Sequence, residues 1–259
     1  MASKKPQQSA NARQAKIQAA AKSNNSGGAN KIIIAAVAAV VAIIAVVGFV
    51  VFQQVQADKK VKGDGNATPA GVSMGAAYPA YASVTPKADA PLVEAFEDFQ
   101  CPACQQYEAA IGSTLAELAE AGDIKLQYHM LNFLDERLGN DSSLMASNGA
   151  FCAAEDGKFE KYHEVLYANP PAQEGDGWKL AALKDLAQQA GITGEKLTAW
   201  ESCVELGKYT NYNVAVDKNA FGKEGIKGTP TFRINGKVVD NKTFTTPEQV
   251  KAAIEAAKK

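Results

Sequence analysis

The longest apolar stretch of the chain lies near its N-terminus. Residues 32–52 form a run of 21 residues, "IIIAAVAAVVAIIAVVGFVVF", without a charged side chain. A helix rises about 1.5 Å per residue, so this run is long enough to cross a hydrocarbon core of about 30 Å. We therefore predict a single uncleaved transmembrane anchor. A cleaved signal peptide is the alternative, although its apolar core usually has only about 7–15 residues.

Charge is distributed unevenly around the predicted anchor. Residues 1–31 carry six basic side chains and no acidic one. Positive charge next to a membrane span stays on the cytoplasmic side. We expect residues 1–31 to be a disordered cytoplasmic tail, residues 53–90 to be an exported linker, and residues 91–259 to form the exported domain of a single-pass protein of the cell membrane.

The exported part begins with a pattern that predicts a strand, a helix and a second strand. Ala90–Phe99 is strand-like, and residues 124–130 alternate between apolar and polar positions, which indicates another strand. Between them, apolar residues recur at helical spacing: Tyr107, Ile111, Leu115 and Leu118. This order predicts a right-handed βαβ unit with two parallel strands.

The remaining pattern predicts a helical block followed by a hairpin and a closing helix. Residues from about 136 to 222 keep helical apolar spacing. Two short apolar runs then flank Asn235-Gly236, a dipeptide that is typical of tight β-hairpins. The last helix is predicted after Thr246 as its N-cap residue, with Pro247 at its first position.

Composition narrows the class of function. Hydrophobic residues make up 46% of the 259 residues, charged residues make up 21%, and the formal net charge is −1. Nucleic-acid-binding proteins usually carry a basic surface, so this balance argues against a nucleic-acid partner.

The four cysteines carry the candidate chemistry. Cys101 and Cys104 are two residues apart, whereas Cys152 and Cys203 are widely separated. A four-cysteine zinc site usually takes two close pairs, and neither His129 nor His163 has ligand spacing to these cysteines, so we expect no metal. A bridge between Cys101 and Cys104 closes too small a loop to be useful as a structural crosslink.

The position of the close pair favours redox chemistry. Cys101 falls where the predicted strand gives way to the predicted helix, and Pro102 suits the first helical turn. The free N–H groups and positive dipole end of a helix N-terminus favour a thiolate. We therefore expect Cys101 to be the nucleophile and Cys104 to be the thiol that resolves a mixed disulfide.

Three quoted segments resemble one family. "FEDFQCPAC", "GTPTF" at Gly228–Phe232 and the terminal "EQVKAAIEAA" are similar to the DsbA-like extracytoplasmic thiol:disulfide oxidoreductases of thioredoxin fold. The resemblance covers about residue 91 to the end and implies an α/β thioredoxin fold with an inserted helical domain, here preceded by the transmembrane helix. It also implies that Pro230 is cis and that the Thr229 backbone pairs with an extended substrate. Taken alone, Pro230 would be read as an ordinary trans proline entering a strand.

The chain departs from that family at two positions. Many relatives have a buried acid six residues before the first cysteine, where this chain has Ala95. We expect the neighbouring Glu94 and Glu97 to face the other side of the strand and to be solvated. The strongest oxidants of the family have a histidine between the cysteines, where this chain has Ala103, so we expect a milder oxidant.

The separated cysteines allow two interpretations. Cys152 and Cys203 both lie in the predicted helical block, and disulfides persist outside the cytoplasm. We favour a structural disulfide between two helices over a second redox pair.

The resulting functional hypothesis is a membrane-anchored oxidase, without a cofactor, that introduces disulfides into unfolded exported proteins. By resemblance, a quinone-linked membrane partner would reoxidise it, and we expect a monomer. The alternatives are a disulfide isomerase or reductase of the same fold, or a non-catalytic anchored binding module, since fold alone does not determine function.

Overall fold

The computed structural model describes residues 65–173 and 175–258. The predicted cytoplasmic tail at 1–31 and the predicted anchor at 32–52 lie outside these residues. Within the described residues, none of the helices combines the length and apolar character that crossing a membrane requires.

A five-stranded mixed sheet forms the centre of the domain. Its strands are β1 (Tyr78–Pro79), β2 (Leu92–Glu97), β3 (Lys125–Met130), β4 (Thr231–Ile234) and β5 (Lys237–Val238). The spatial order is β1-β3-β2-β4-β5, and β2 pairs parallel with β3 and antiparallel with β4. The central strand is covered on both faces, because Val93, Ala95 and Phe96 are all fully buried.

The first predicted helix is continuous but changes its winding. It consists of α1 (Pro102–Tyr107), one π turn (Glu108–Gly112) and α2 (Ser113–Glu120). The predicted strand, helix, strand order is confirmed, because β2 leads through this helix to β3 as a parallel pair.

Six helices between β3 and β4 form the inserted block. They are α3 (Phe133–Leu138), α4 (Ser142–Ala154), α5 (Phe159–Ala168), α6 (Leu180–Gln189), α7 (Gly194–Glu205) and α8 (Thr210–Gly222). The arrangement is the thioredoxin fold with helical insertion that the sequence resemblance implies. The block begins three residues earlier than predicted, at Phe133.

The hairpin and the closing helix also form at the expected places. Asn235 and Gly236 both have positive φ angles, 49° and 76°, which the two-residue turn between β4 and β5 requires. The closing helix, α9 (Pro247–Ala257), begins after Thr246, whose side chain accepts a hydrogen bond from the Gln249 N–H.

The predicted linker at 53–90 is wrong for the part that the structure describes. β1 pairs with β3, the Tyr212 hydroxyl donates to the Ala76 carbonyl at 2.7 Å, and the Asn211 N–H donates to the Gly65 carbonyl at 3.1 Å. β1 has only two residues and depends on its partner strand, so no local period could have revealed it.

A disulfide links two helices of the inserted block. Cys152 on α4 and Cys203 on α7 have an S–S distance of 1.98 Å and a Cα–Cα distance of 5.9 Å. Trp200, on the same helix as Cys203, packs edge-on against Tyr162 and donates to the Gly149 carbonyl on α4 at 2.8 Å, so further contacts join these two helices. Glu155 Oε1 lies 3.4 Å from Cys203 Sγ. The disulfide therefore joins α4 to α7 inside the insertion. Cys101 and Cys104 belong to a different element, the start of α1.

We expect the double substitution Cys152→Ser with Cys203→Ser to lower the stability of the domain and to spare its activity. In the chain-entropy model a bridge across 51 residues stabilises by about 3–4 kcal/mol. Thermal unfolding should show a clearly lower melting temperature. A folded double variant without oxidoreductase activity would show that this bridge takes part in the reaction.

Candidate active site

Cys101 lies at the junction of the central strand and the long helix. It is the N-cap residue of α1, with extended backbone angles (φ −79°, ψ 115°), and Pro102 occupies the first turn. The Cys101 N–H donates to the Asp98 carbonyl at 2.9 Å, which closes the turn after β2. The residue is 9% exposed, so its sulfur is at the edge of the core.

The pKa of Cys101 is lowered to about 6. The largest cause is a hydrogen bond from the Cys104 thiol, and Thr229 and the backbone N–H groups of Ala103 and Cys104 contribute in the same direction. Burial opposes the shift, because it disfavours a charge. Cys101 is therefore predominantly a thiolate at neutral pH in the reduced protein.

Cys104 has the opposite properties. It is fully buried one helical turn further on, and burial raises its pKa well above the ordinary value. Its hydrogen bond to Cys101 and the negative charge of Glu97 act in the same direction. The two thiols of one motif are thus strongly asymmetric, with one anionic near the surface and one protonated in the core.

The segment before β4 completes the immediate site. The Thr229–Pro230 peptide bond is cis, and Cys101 Sγ lies 3.6 Å from the Thr229 carbonyl oxygen. Residues that are 128 positions apart in the sequence are in contact here. The structure thus brings together all four residues that the sequence assigned to the site: Cys101, Cys104, Thr229 and Pro230.

A buried polar network fixes the turn that carries Cys101. Asp98 is fully buried and accepts hydrogen bonds from the Gln100 N–H at 2.9 Å, the Leu134 N–H at 3.2 Å and the Ser143 hydroxyl at 2.5 Å. The Gln100 side-chain amide donates to Asp135 at 2.8 Å. These bonds tie the turn to α3 and α4, so the insertion supports the position of the sulfur.

Both glutamates near the site differ from the expectation. Glu97 is on the same face of β2 as Ala95, because side chains two apart share a face, and it is fully buried rather than solvated. Burial raises the pKa of its carboxyl to about 8, a hydrogen bond with the Glu108 carboxyl opposes the shift, and the charge of Cys101 adds to it. The Glu94 side chain is only 12% exposed and lies 3.3 Å from His129 Nε2.

Glu97 belongs to a cluster that sequence analysis missed. His163 Nε2 on α5 lies 2.9 Å from Glu97 Oε2, and His163 Nδ1 lies 4.0 Å from Glu108 Oε2. Burial also raises the pKa of Glu108, and the charge of Glu97 adds to the effect. The contacts of His163 with Glu97 and Glu108 span 66 and 55 positions, so spacing along the chain gives no signal for them.

The amino-acid sequence of this chain matches a known protein family and a curated relative. A family model described as Thioredoxin matches residues 84–256. Disulfide bond formation protein D of Bacillus subtilis (strain 168) is 27% identical over 171 residues, which cover 65% of this chain and 73% of that protein.

Two solved structures from Mycobacterium tuberculosis are similar over most of their length. The reduced form of the disulfide bond oxidoreductase DsbG has a TM-score of 0.58 and 28% identity, covering 71% of this chain and 88% of that chain. Reduced DsbA has a TM-score of 0.57 and 27% identity, covering 70% of this chain and 91% of that chain.

We expect the ultraviolet thiolate absorbance of the reduced protein to titrate with a midpoint at pH about 6. Below the midpoint Cys101 is protonated and unreactive, and above it the sulfur is an anion. Cys104→Ala removes the largest stabilising hydrogen bond, so the midpoint should rise toward the ordinary value of about 8.5. A wild-type midpoint near 8.5 would contradict the assigned environment of Cys101.

Proposed function

Because this chain belongs to the thioredoxin family and is a thiol–disulfide oxidoreductase of DsbA-like type, we propose that it introduces disulfides into exported proteins through Cys101 and Cys104. The observation that carries the proposal is the asymmetry of the two thiols. Cys101 has a pKa of about 6 at the edge of the core, whereas Cys104 is buried with a raised pKa. A stabilised thiolate favours the reduced enzyme and therefore makes the disulfide form an oxidant.

The reaction transfers two electrons from the substrate dithiol to the enzyme disulfide. Of the two protons that the substrate loses, Cys104 takes up one and the solvent takes up the other. A substrate thiolate attacks Cys101 Sγ of the oxidised enzyme, the Cys101–Cys104 bond breaks, and Cys104 leaves and takes up a proton. A second substrate thiolate then attacks the substrate sulfur of the mixed disulfide and releases Cys101 as a thiolate. The substrate dithiol has become a disulfide, and the enzyme holds the two electrons as a thiol and a thiolate.

Cys101 is the better leaving group of the pair. The leaving tendency of a thiolate rises as its pKa falls, so release of the oxidised substrate from Cys101 is fast. The same property disfavours a long-lived mixed disulfide. The geometry thus supports an oxidase more directly than an isomerase, which has to hold its substrate for rearrangement.

The substrate backbone has a place beside the sulfur. The Thr229 carbonyl is next to Cys101 Sγ, and an extended chain can add to it as a strand adds to a sheet edge. A groove of about 290 Å³ that Cys101 lines also includes Phe99, Pro170 and Pro171. Apolar side chains that flank a substrate cysteine fit this groove, and unfolded proteins expose such residues.

Oxidation of reduced, unfolded ribonuclease tests the proposal. The wild type should restore ribonuclease activity, and Cys101→Ser should give only the rate of the buffer. Cys104→Ser, mixed instead with ribonuclease that carries disulfides, should accumulate a mixed disulfide through Cys101, because the Cys101 thiolate opens a substrate disulfide and no Cys104 thiol is present to displace the bound substrate.

Two outcomes of that assay would support the other functions. Equal rates for the wild type and Cys101→Ser would favour a non-catalytic binding module. Faster recovery from scrambled ribonuclease than from reduced ribonuclease would favour an isomerase.

The proposal includes an extracytoplasmic domain held at the membrane by residues 32–52. Three features support it: the apolar run itself, the basic tail before it, and the Cys152–Cys203 disulfide, which suits an oxidising compartment. In such a place the reduced enzyme needs an electron acceptor. A quinone-linked membrane protein is the proposed reoxidising partner.

Labelling with a membrane-impermeant maleimide tests this topology. In a Cys101→Ser, Cys104→Ser background, the exposed Ser73→Cys should react in intact cells. Ser3→Cys, in the basic tail, should react only after the membrane is permeabilised. Labelling of Ser3→Cys but not Ser73→Cys in intact cells would place the domain in the cytoplasm instead.

A further inference from the structure

Three side chains that can bind a metal meet beneath the active site. Glu97 is at the end of β2, Glu108 is the first residue of the π turn, and His163 is on α5. One ligand atom from each lies within 4.8 Å of the other two. Side-chain exposures are 0% for Glu97, 3% for His163 and 10% for Glu108, so the cluster is inside the protein.

The cluster holds two carboxyl groups and a single basic side chain, that of His163. No lysine or arginine in the described part of the chain forms an ion pair with Glu97 or Glu108; only His163 faces them. Glu97 Oε1 is buried and accepts no hydrogen bond from an N–H or hydroxyl group, and the Glu97 carboxyl shares a hydrogen bond with the carboxyl of Glu108. Two buried carboxyls in contact need either a shared proton or a cation between them.

The backbone is shaped to hold Glu108 in this cluster. A Cβ atom on Gly112, one turn further along the π turn, would overlap the Glu108 carboxylate. Glycine at this position therefore leaves the room that the carboxylate occupies. Single π turns within α-helices are rare and are frequent at functional sites.

An acidic cavity leads to the cluster. It has a volume of about 600 Å³, and both Glu108 and His163 line it. Its charged lining contains two lysines, Lys158 and Lys161, against five glutamates: Glu108, Glu117, Glu120, Glu160 and Glu164. Such a lining attracts a hydrated cation and supplies water to complete its coordination.

We propose that Glu97, Glu108 and His163 form a binding site for one divalent transition-metal ion of the Zn²⁺ class. Carboxylate oxygen and imidazole nitrogen bind Zn²⁺ at about 2.0–2.2 Å, so the three ligand atoms have to move inward to share one ion. Glu97 lies next to His163 Nε2 and Glu108 lies nearer Nδ1, so one carboxylate also has to rotate toward the nitrogen that binds the ion. The imidazole favours this class over Ca²⁺ and Mg²⁺, which prefer oxygen ligands. The site goes beyond the proposed redox function and uses neither cysteine.

A second group on the other side of β2 has similar side chains but a different charge balance. Glu94, His129 and Glu224 also lie close together. Arg233 Nη1 lies 2.9 Å from Glu224 Oε2 and supplies a positive charge there. Glu94 is therefore the matched control, because it too is a partly enclosed glutamate next to a histidine.

Titration calorimetry with ZnCl₂ tests the site. The full-length, tag-free chain is used in its oxidised form, so that Cys101 and Cys104 are in a disulfide and unavailable as ligands. The wild type should bind one Zn²⁺ per chain with saturation. His163→Gln and Glu108→Gln should weaken binding by about tenfold or more, whereas Glu94→Gln should bind as the wild type does.

Two further measurements keep the test independent of variant folding. Gly112→Ala retains every ligand but displaces the Glu108 carboxylate, so it should weaken binding too. The melting temperature of the wild type should rise with Zn²⁺ and return when a chelator is added. Absence of saturable binding, or binding lost in Glu94→Gln and kept in His163→Gln, would overturn the proposal and would indicate that the two carboxyls share a proton instead. Either result leaves the oxidase proposal standing.

Discussion

The site depends on a sulfur anion that is held where a helix begins. Cys101 receives a hydrogen bond from the Cys104 thiol and is stabilised by the backbone N–H groups of Ala103 and Cys104. These donors exist only because β2 ends at Glu97 and the helix starts at Pro102. The stability of the Cys101 thiolate therefore depends on the sheet, on the turn after β2 and on the first helical turn. The inserted helices hold that turn through the hydrogen bond from the Ser143 hydroxyl to Asp98.

The core beneath this sulfur is unusually polar for the centre of a domain. Three polar side chains near the turn that carries Cys101 are buried: Asp98, Glu97 and His163. The Asp98 carboxylate accepts three hydrogen bonds, so its role is to hold the turn that carries Cys101 in position. Glu97 is in contact with the Glu108 carboxyl, and two buried carboxyls in contact need a shared proton or a cation. The two acids are adjacent in sequence and yet have different physical roles.

The sequence was informative where local chemistry determines structure. The strand before Cys101, the helix after it and the Asn235-Gly236 turn all follow from short-range patterns. The role of Thr229 and Pro230 beside Cys101 came from the resemblance to a family, because Pro230 taken alone indicates only a proline entering a strand. Interactions over long sequence separations were not predictable in the same way. The pairing of β1 with β3 and the contact of His163 with Glu97 depend on packing across the whole domain. Side-chain alternation along β2 puts Glu97 on the buried face of Ala95, so the expectation of a solvated Glu97 on the other face is wrong.

The central claim is that stabilisation of the Cys101 thiolate makes the Cys101–Cys104 disulfide an oxidant, moderated by Ala103 between the cysteines. The most direct measurement is the redox midpoint of the full-length protein in glutathione buffers, followed by the change in thiol content. We predict a midpoint between about −270 mV, the value of thioredoxin, and about −120 mV, the value of the strong oxidant DsbA. A midpoint at or below the thioredoxin value would show that the thiolate is not stabilised enough to drive oxidation, and one at or above that of DsbA would show that Ala103 does not moderate it.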